Sequence, residues 1–491
     1  MPAFMTRRTI GRLLFLLLWL VLFGTLLQRE LFVKQIDLRE AQVIKQAQET
    51  DFLGIYFHNQ RIGYVKNHLA ANPETSGFTL AQDAILHLNI LGEIHPIRLQ
   101  VAAGLTDTLL LENFSFQLSS PLYSMNARGT VTGQRVDFTI HTGKDTIKDS
   151  VELARPPFLP INRRSYLLTQ NLKQGDKVTI PYFDPISLTG KDTLIEYHGI
   201  DKVLVQGRIH TLHRFSESFA GLRISSWLDD SGKVVKEESP AGFVFIAEPE
   251  FKATDIVTTG SRELLQSVAV PLTGTMPELG GRTRIGYRLT LPEEAEFVLS
   301  RDRQQLTDNL LTVSLETLEE HHGAACPDQP AALASTPYIQ SKNKMIVETA
   351  QDITKATGTD FDKVLQLADW VFGNLEKRPV LGIPDALTTL HTRRGDCNEH
   401  AALFAALARS TGIPTRVVAG VTYHEGFFYY HAWNEVRLGE KWLSLDTTKN
   451  QLPADLSHIK FVQGEIKDMV QIGGLINNLE IGVDPGEEAG R

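Results

Sequence analysis

The chain has 491 residues, 42% of them hydrophobic and 22% charged, an ordinary globular balance that at roughly 150 residues per domain implies about three domains. Its formal net charge of -9 is spread without long like-charge runs, which argues against nucleic acid as a partner. The 2 cysteines, Cys326 and Cys397, exclude a disulfide framework and a four-thiolate metal site, and leave the chemistry of a lone thiol open.

Leu13 to Leu27 reads LLFLLLWLVLFGTLL, behind Arg7, Arg8 and Arg12 and ahead of Arg29. As a helix it spans about 22 Å, short of a ~30 Å hydrocarbon core, but Arg12 and Arg29 can snorkel and lengthen it. No small-x-small cleavage site follows, so residues 1–35 read as a cytoplasmic tail and an uncleaved signal anchor, an N-terminal transmembrane helix. The expected location is a single pass through the cell inner membrane, with the bulk of the chain periplasmic or extracellular.

Within an expected region at 36–260, Asp51 to about Glu250 alternates apolar and polar positions in short runs broken by Gly, Asn and Asp, as in Ile85-Leu86-His87-Leu88 and Val203-Leu204-Val205. This predicts an antiparallel β-rich region, with Pro156-Pro157 and Pro160 marking where two lobes would divide. Asp230-Ser231-Gly232-Lys233 reads as a hairpin turn. The histidines from His58 to His213 show no metal spacing and read as strand or surface residues. Residues 261–335 form a smaller β-rich piece that ends in the linker AACPDQPAALAS; Cys326 within it reads as a free linker thiol despite the nearby His321 and His322.

Helical periodicity begins after Thr359: Phe361, Val364, Leu365, Ala368, Val371, Phe372 and Leu375 recur at three- and four-residue steps, and Pro379 follows. Next, Asp396 and Glu399 form a capping-box pattern and Gly412-Ile413-Pro414 a stop, so a helix runs from Cys397 to about Thr411. Ala401 to Ala408 is apolar on every face, which predicts burial all round. Cys397, first in the helix, meets free N–H groups and the positive dipole end, which favour a thiolate. A small inert cysteine fits a helix start equally well, so the position needs partners.

Thr415 to Tyr423 and Phe427 to Leu438 read as strands, and Gly439-Glu440 as a turn into Lys441 to Asp446. Pairing Leu438 with Lys441 sets Arg437 opposite Trp442, Glu435 opposite Ser444 and Trp433 opposite Asp446. His431 then shares a face with Trp433 and lies diagonally beside Asp446. One residue of slippage would send Asp446 to the far face. Singly, His431 reads as a locally satisfied strand histidine and Asp446 as a strand-end residue; together with Cys397 they match the Cys-His-Asp logic of acyl transfer.

The ordered blocks Arg394-Gly-Asp-Cys-Asn-Glu-His-Ala401, Leu407-Ala-Arg-Ser-Thr-Gly-Ile-Pro-Thr-Arg416, His431-Ala-Trp-Asn-Glu-Val436 and Trp442-Leu-Ser-Leu-Asp-Thr-Thr448 closely resemble the core of the transglutaminase-like superfamily over roughly residues 340–470. The resemblance implies an α+β, papain-like catalytic domain at 336–475, a tail at 476–491, and a catalytic triad of Cys397, His431 and Asp446. Where such domains commonly carry Asp-Pro-Thr, this chain has Asp446-Thr447-Thr448. The implied activity is a cysteine peptidase or a protein-glutamine transamidase, working through a thioester on protein or peptide amides with no cofactor and no metal. Hydrolysis is slightly favoured because no calcium-loop pattern is present. The alternative is a non-catalytic binding or assembly module of the cell envelope with a vestigial core.

Overall fold

The computed structural model describes residues 34–35, 49–142, 145–159, 164–184, 189–219, 222–256, 263–292, 297–318, 324–325, 329–356 and 358–484. The expected signal anchor and Cys326 lie outside the described residues, among which no helix is long and apolar enough to cross a membrane.

Alternation builds the N-terminal lobe. Strand Arg135–Thr142 buries Val136, Phe138, Ile140 and Thr142 and turns Arg135, Asp137 and His141 to solvent. The strands between residues 49 and 152 form one antiparallel meander and those between 177 and 248 a second; Phe243–Glu248 pairs with Glu49–Phe57 and joins them into a single 15-stranded sheet among the described residues. The sheet folds over on itself around a main core that draws Met125 and Ile140 from the first meander and Val178, Phe215 and Leu228 from the second, with a smaller cluster of Leu53, Ile55, Phe57 and Val65 where the meanders join. Phe114 and Phe183 touch across that core at a ring-centroid distance of 5.2 Å.

The region is therefore one lobe, and the proline break expected to divide two is a corner inside it. The Pro157 carbonyl accepts from Leu111 N at 2.9 Å, and Phe158 N donates to the Pro181 carbonyl at 3.1 Å. These bonds lay the proline segment between the two meanders. The expected hairpin turn is present: Asp229 accepts from Ser231 N and Lys233 N at 2.9 and 3.0 Å, and Gly232 takes the positive φ of 81°.

Boundaries expected at 335/336 and 475/476 do not divide the C-terminal unit. Among the described residues its 9-stranded sheet runs in the order Gln304–Thr307, Leu310–Ser314, Arg284–Thr290, Glu480–Asp484, Val270–Thr273, Phe427–Leu438, Thr415–His424 and Ile459–Gln463, with Lys441–Leu445 also on Phe427–Leu438. Strand Arg284–Thr290 buries Ile285, Tyr287 and Leu289, and its two edges are filled by Leu310–Ser314 and by Glu480–Asp484 from the expected tail. Pairing of segments nearly 200 residues apart leaves no local mark in a sequence. The linker, too, is docked: Ala324 O accepts from Gly439 N at 2.9 Å, and Ala325 N donates to Asp360 at 2.8 Å.

Helices Lys344–Thr354, Asp360–Asn374 and Ala386–Thr392 surround helix Cys397–Ser410, every residue of which from Glu399 to Arg409 is buried. The Asp360–Asn374 helix is capped by Thr359, whose side chain accepts from Asp362 N. The arrangement, helices against an antiparallel sheet, is the expected α+β class. The two lobes meet beside the cysteine helix: a Cβ added at Gly382 would fall 2.3 Å from the Tyr123 ring, and the Thr142 and Thr388 hydroxyls are 3.0 Å apart.

Candidate active site

The capping box of the cysteine helix forms as the residue pattern predicts. Asp396 Oδ1 accepts from Asn398 N at 2.9 Å, and Asp396 N donates to Glu399 Oε2 at 2.9 Å. For Glu399 to fold back this way the preceding turn must be bare, since a Cβ at Gly395 would lie 2.2 Å from Glu399 Cβ. Packing on every face then holds the half-buried Cys397 at the helix start.

Asn434 Nδ2 donates to the Ala401 carbonyl at 3.0 Å and ties the histidine strand Phe427–Leu438 to this helix. Across that strand His431 pairs with Gly420, where a Cβ would meet the Ile459 carbonyl at 1.9 Å, so only glycine lets the next strand close in. On the other edge the hairpin register is the expected one, with Leu438 opposite Lys441, Arg437 opposite Trp442 and Glu435 opposite Ser444.

Asp446 is thereby brought beneath His431, whose Nε2 donates to Asp446 Oδ2 at 2.8 Å. Asp446 Oδ1 accepts from Thr448 N at 2.8 Å and Lys449 N at 3.2 Å. With Nε2 committed to the carboxylate, Nδ1 is the ring nitrogen not bonded to Asp446. Trp433 stacks on His431 with centroids 6.1 Å apart and planes 18° apart, on the shared face that the pairing predicts. The backbone N–H joining His431 to Ala432 points at the Cys397 sulfur. The Ala432 N–H thus sets Cys397 at the same end of the hairpin as the bonded pair His431 and Asp446.

The expected thiolate does not hold in this resting arrangement. Burial pushes the Cys397 thiol well up, and Asp396, Glu399 and Asp446 add to it; the Ala432 N–H opposes them and is outweighed. The cap that makes the helix start is itself anionic, and its charge works against the dipole. Burial likewise lowers His431 below the usual histidine value, against the pull of Asp446. Burial works to raise Asp446, but hydrogen bonds from His431 and His458 overcome it and hold the carboxyl well below the usual range. The resting site is a neutral thiol, a neutral imidazole and an ionised carboxylate.

Sequence reasoning misses His458 and Asp455. His458 is fully buried, with Nε2 3.1 Å from Asp446 Oδ2 and Nδ1 2.9 Å from Asp455 Oδ1. The three-residue spacing of Asp455 and His458 is visible in the chain, but nothing local returns that loop to Asp446. His431, Asp446 and His458 also bring one donor atom each within 4.8 Å of one another, the spacing of a metal cluster. Their mutual hydrogen bonds account for that convergence.

Residues 347–447 match the family model of the transglutaminase-like superfamily. The C-terminal unit carries a transglutaminase-like domain. The matched segment takes in Cys397, His431 and Asp446 of this domain, whereas Asp455 and His458 lie beyond it. No curated protein matches the chain. Among solved structures, a "putative cysteine protease" from Cytophaga hutchinsonii aligns at 18% identity and a TM-score of 0.28, over 40% of this chain and 83% of its own. A β-barrel-like protein of a domain of unknown function from Brucella abortus aligns at 10% identity and a TM-score of 0.31, over 41% of this chain and 97% of its own. A "putative protease" from Parabacteroides distasonis aligns at 12% identity and a TM-score of 0.20, over 69% of this chain and 68% of its own.

Proposed function

We propose that the chain is a thiol enzyme that cleaves protein or peptide amides through an acyl-enzyme on Cys397, with His431 as general base and acid and Asp446 as its orienting carboxylate. The observation that carries this reading is the Asp446 carboxylate, buried and bonded to His431 Nε2 at 2.8 Å, which leaves Nδ1 of a neutral imidazole for the thiol. A neutral pair suits general-base attack. His431 Nδ1 takes the Cys397 proton as the sulfur bonds to the substrate carbonyl carbon, and returns it to the departing amine as the C–N bond breaks. Water, deprotonated in turn by His431, then attacks the thioester, releasing the acid and restoring the thiol. A primary amine in place of that water gives transamidation by the same steps. The Cys397 backbone N–H, unpaired at a helix start, is the candidate for one oxyanion donor in this reading.

The apolar segment Leu13–Leu27 supports an enzyme anchored in the inner membrane and working outside the cytoplasm. Mass spectrometry of a peptide pool incubated with the protein, with and without glycine ethyl ester, tests the reaction. New termini that disappear in Cys397→Ala support hydrolysis, and glutamine-plus-amine masses support transfer. Neither product in the wild type, or equal product in Cys397→Ala, contradicts the proposal.

A further inference from the structure

The Asp446 carboxylate serves two imidazoles. His458 Nε2 approaches the same Oδ2 at 3.1 Å, beside His431, and its other nitrogen faces a second carboxylate, Asp455 Oδ1, at 2.9 Å. Ionised carboxylates only accept, so an imidazole lying between two of them satisfies both contacts only with a proton on each nitrogen, as the cation. Asp455 is itself held in place by several donors. Ser457 N and Oγ donate to the same Oδ1 at 2.8 and 2.6 Å, and Gln451 Nε2 donates to Oδ2 at 2.9 Å. Arg303, just ahead of strand Gln304–Thr307 in the same C-terminal unit, holds the Ala454 and Asp455 carbonyls. The loop is thus anchored at both its backbone and its acid, more support than an incidental histidine needs.

We propose that His458 is a positioning residue for the reaction: held as an imidazolium between Asp455 and Asp446, it locks the carboxylate that aims His431 and offsets part of that carboxylate's charge. This rests on the Cys397–His431–Asp446 reading given above. Unopposed, a buried carboxylate at 2.8 Å would hold a proton on His431 and keep it from acting as a base. A positive neighbour on the same oxygen weakens that hold. His431 is accordingly lowered first by burial and, among smaller causes, by the charges of His458 and Lys449.

The groups facing this pair are Asp446, Lys449 and Asp455 from the hairpin and its loop, and Cys397 and His400 from the helix. Strand Thr415–His424 contributes the Thr422 hydroxyl, which accepts from Lys449 Nζ at 2.7 Å and meets the Ser457 hydroxyl at 3.1 Å. His400 donates its Nδ1–H to the Asp396 carbonyl at 2.7 Å, so it belongs to the helix cap. Among these groups His458 alone joins two carboxylates.

The test is the rate at which iodoacetamide alkylates Cys397 in the full chain across pH, compared with His458→Gln and Asp455→Asn. Glutamine keeps a donor for Asp446 and carries no charge. The expected result is that the acid-side midpoint, which reports His431, moves to higher pH by about one unit in His458→Gln and by less in Asp455→Asn. Water reaching a loosened site would also raise that midpoint, by relieving the burial of His431. The rise in Asp455→Asn, which leaves both imidazoles in place, is therefore the readout that packing does not supply. A midpoint unchanged or lowered in His458→Gln, with a thermal melt showing the variant folded, overturns the proposal. Should His458→Gln fail to fold, Asp455→Asn decides in the same direction. A wild-type profile whose acid side is untouched by His431→Gln overturns the triad reading and this proposal with it, whereas an acid side that needs His431 and ignores His458 overturns this proposal alone.

Discussion

Both lobes bury charged clusters, and two of these differ in what their cation can do. In the N-terminal lobe Arg164 bonds Glu217 at 3.0 Å and Glu237 at 2.7 Å, all three largely shielded. In the C-terminal unit His431 and His458 bond Asp446 at 2.8 and 3.1 Å, with Cys397 at the edge. A guanidinium keeps its proton at any physiological pH, so the first cluster fixes strands and nothing more. An imidazole gives its proton up near neutrality, and with a half-buried thiol alongside the same burial becomes chemistry. Buried charge marks both places; only a transferable proton separates a strut from a site.

Substitutions can break or sharpen this contrast. The largest effect is expected from Asp446→Asn, which keeps the shape of the acceptor, removes its charge and frees the wrong tautomer of His431. Cys397-dependent turnover of the peptide pool should fall by about 10²- to 10⁴-fold, measured as initial rate on a cleaved peptide. An equal loss with wild-type pH dependence of alkylation would mean that the carboxylate acts through folding only.

In the other cluster Arg164→Met strands two buried glutamates and should cost about 3 kcal/mol in urea unfolding, while iodoacetamide alkylation of Cys397 in the folded variant keeps its wild-type pH profile. A changed profile would show that the lobes are coupled electrically and that strut and site are not separate. The smallest effect is expected from Asp396→Ala. Loss of the helix cap should cost about 1 kcal/mol, yet alkylation at neutral pH should quicken, because a carboxylate that raises the thiol is gone. Slower alkylation would instead mean that the cap's positioning outweighs its charge.

How far the sequence could be read follows from the range of the interactions involved. The cysteine helix, its capping box and the Leu438–Lys441 hairpin register are local, set by residues within a few positions of one another, and the structure has them as the residue pattern predicts. The His431–Asp446 bond follows because the hairpin is short enough for pairing arithmetic. His458 stays hidden because its loop returns to Asp446 through Arg303, a residue some 150 positions earlier. Strand Glu480–Asp484 reads as a tail for the same reason: its neighbours Arg284–Thr290 and Val270–Thr273 are remote in the chain. The protonation of the thiol is the one local feature that the residue pattern gets wrong. A helix dipole alone favours the thiolate, but burial and the three carboxylates around the sulfur outweigh it.

Alkylation of Cys397 by iodoacetamide, followed from pH 5 to pH 10 in the wild type and in His431→Gln, tests the shared proton most directly. The account predicts a two-step wild-type profile, with reaction below neutrality faster than in His431→Gln, which should show a single step at high pH. A single high-pH step in both proteins, superimposable within error, would contradict it.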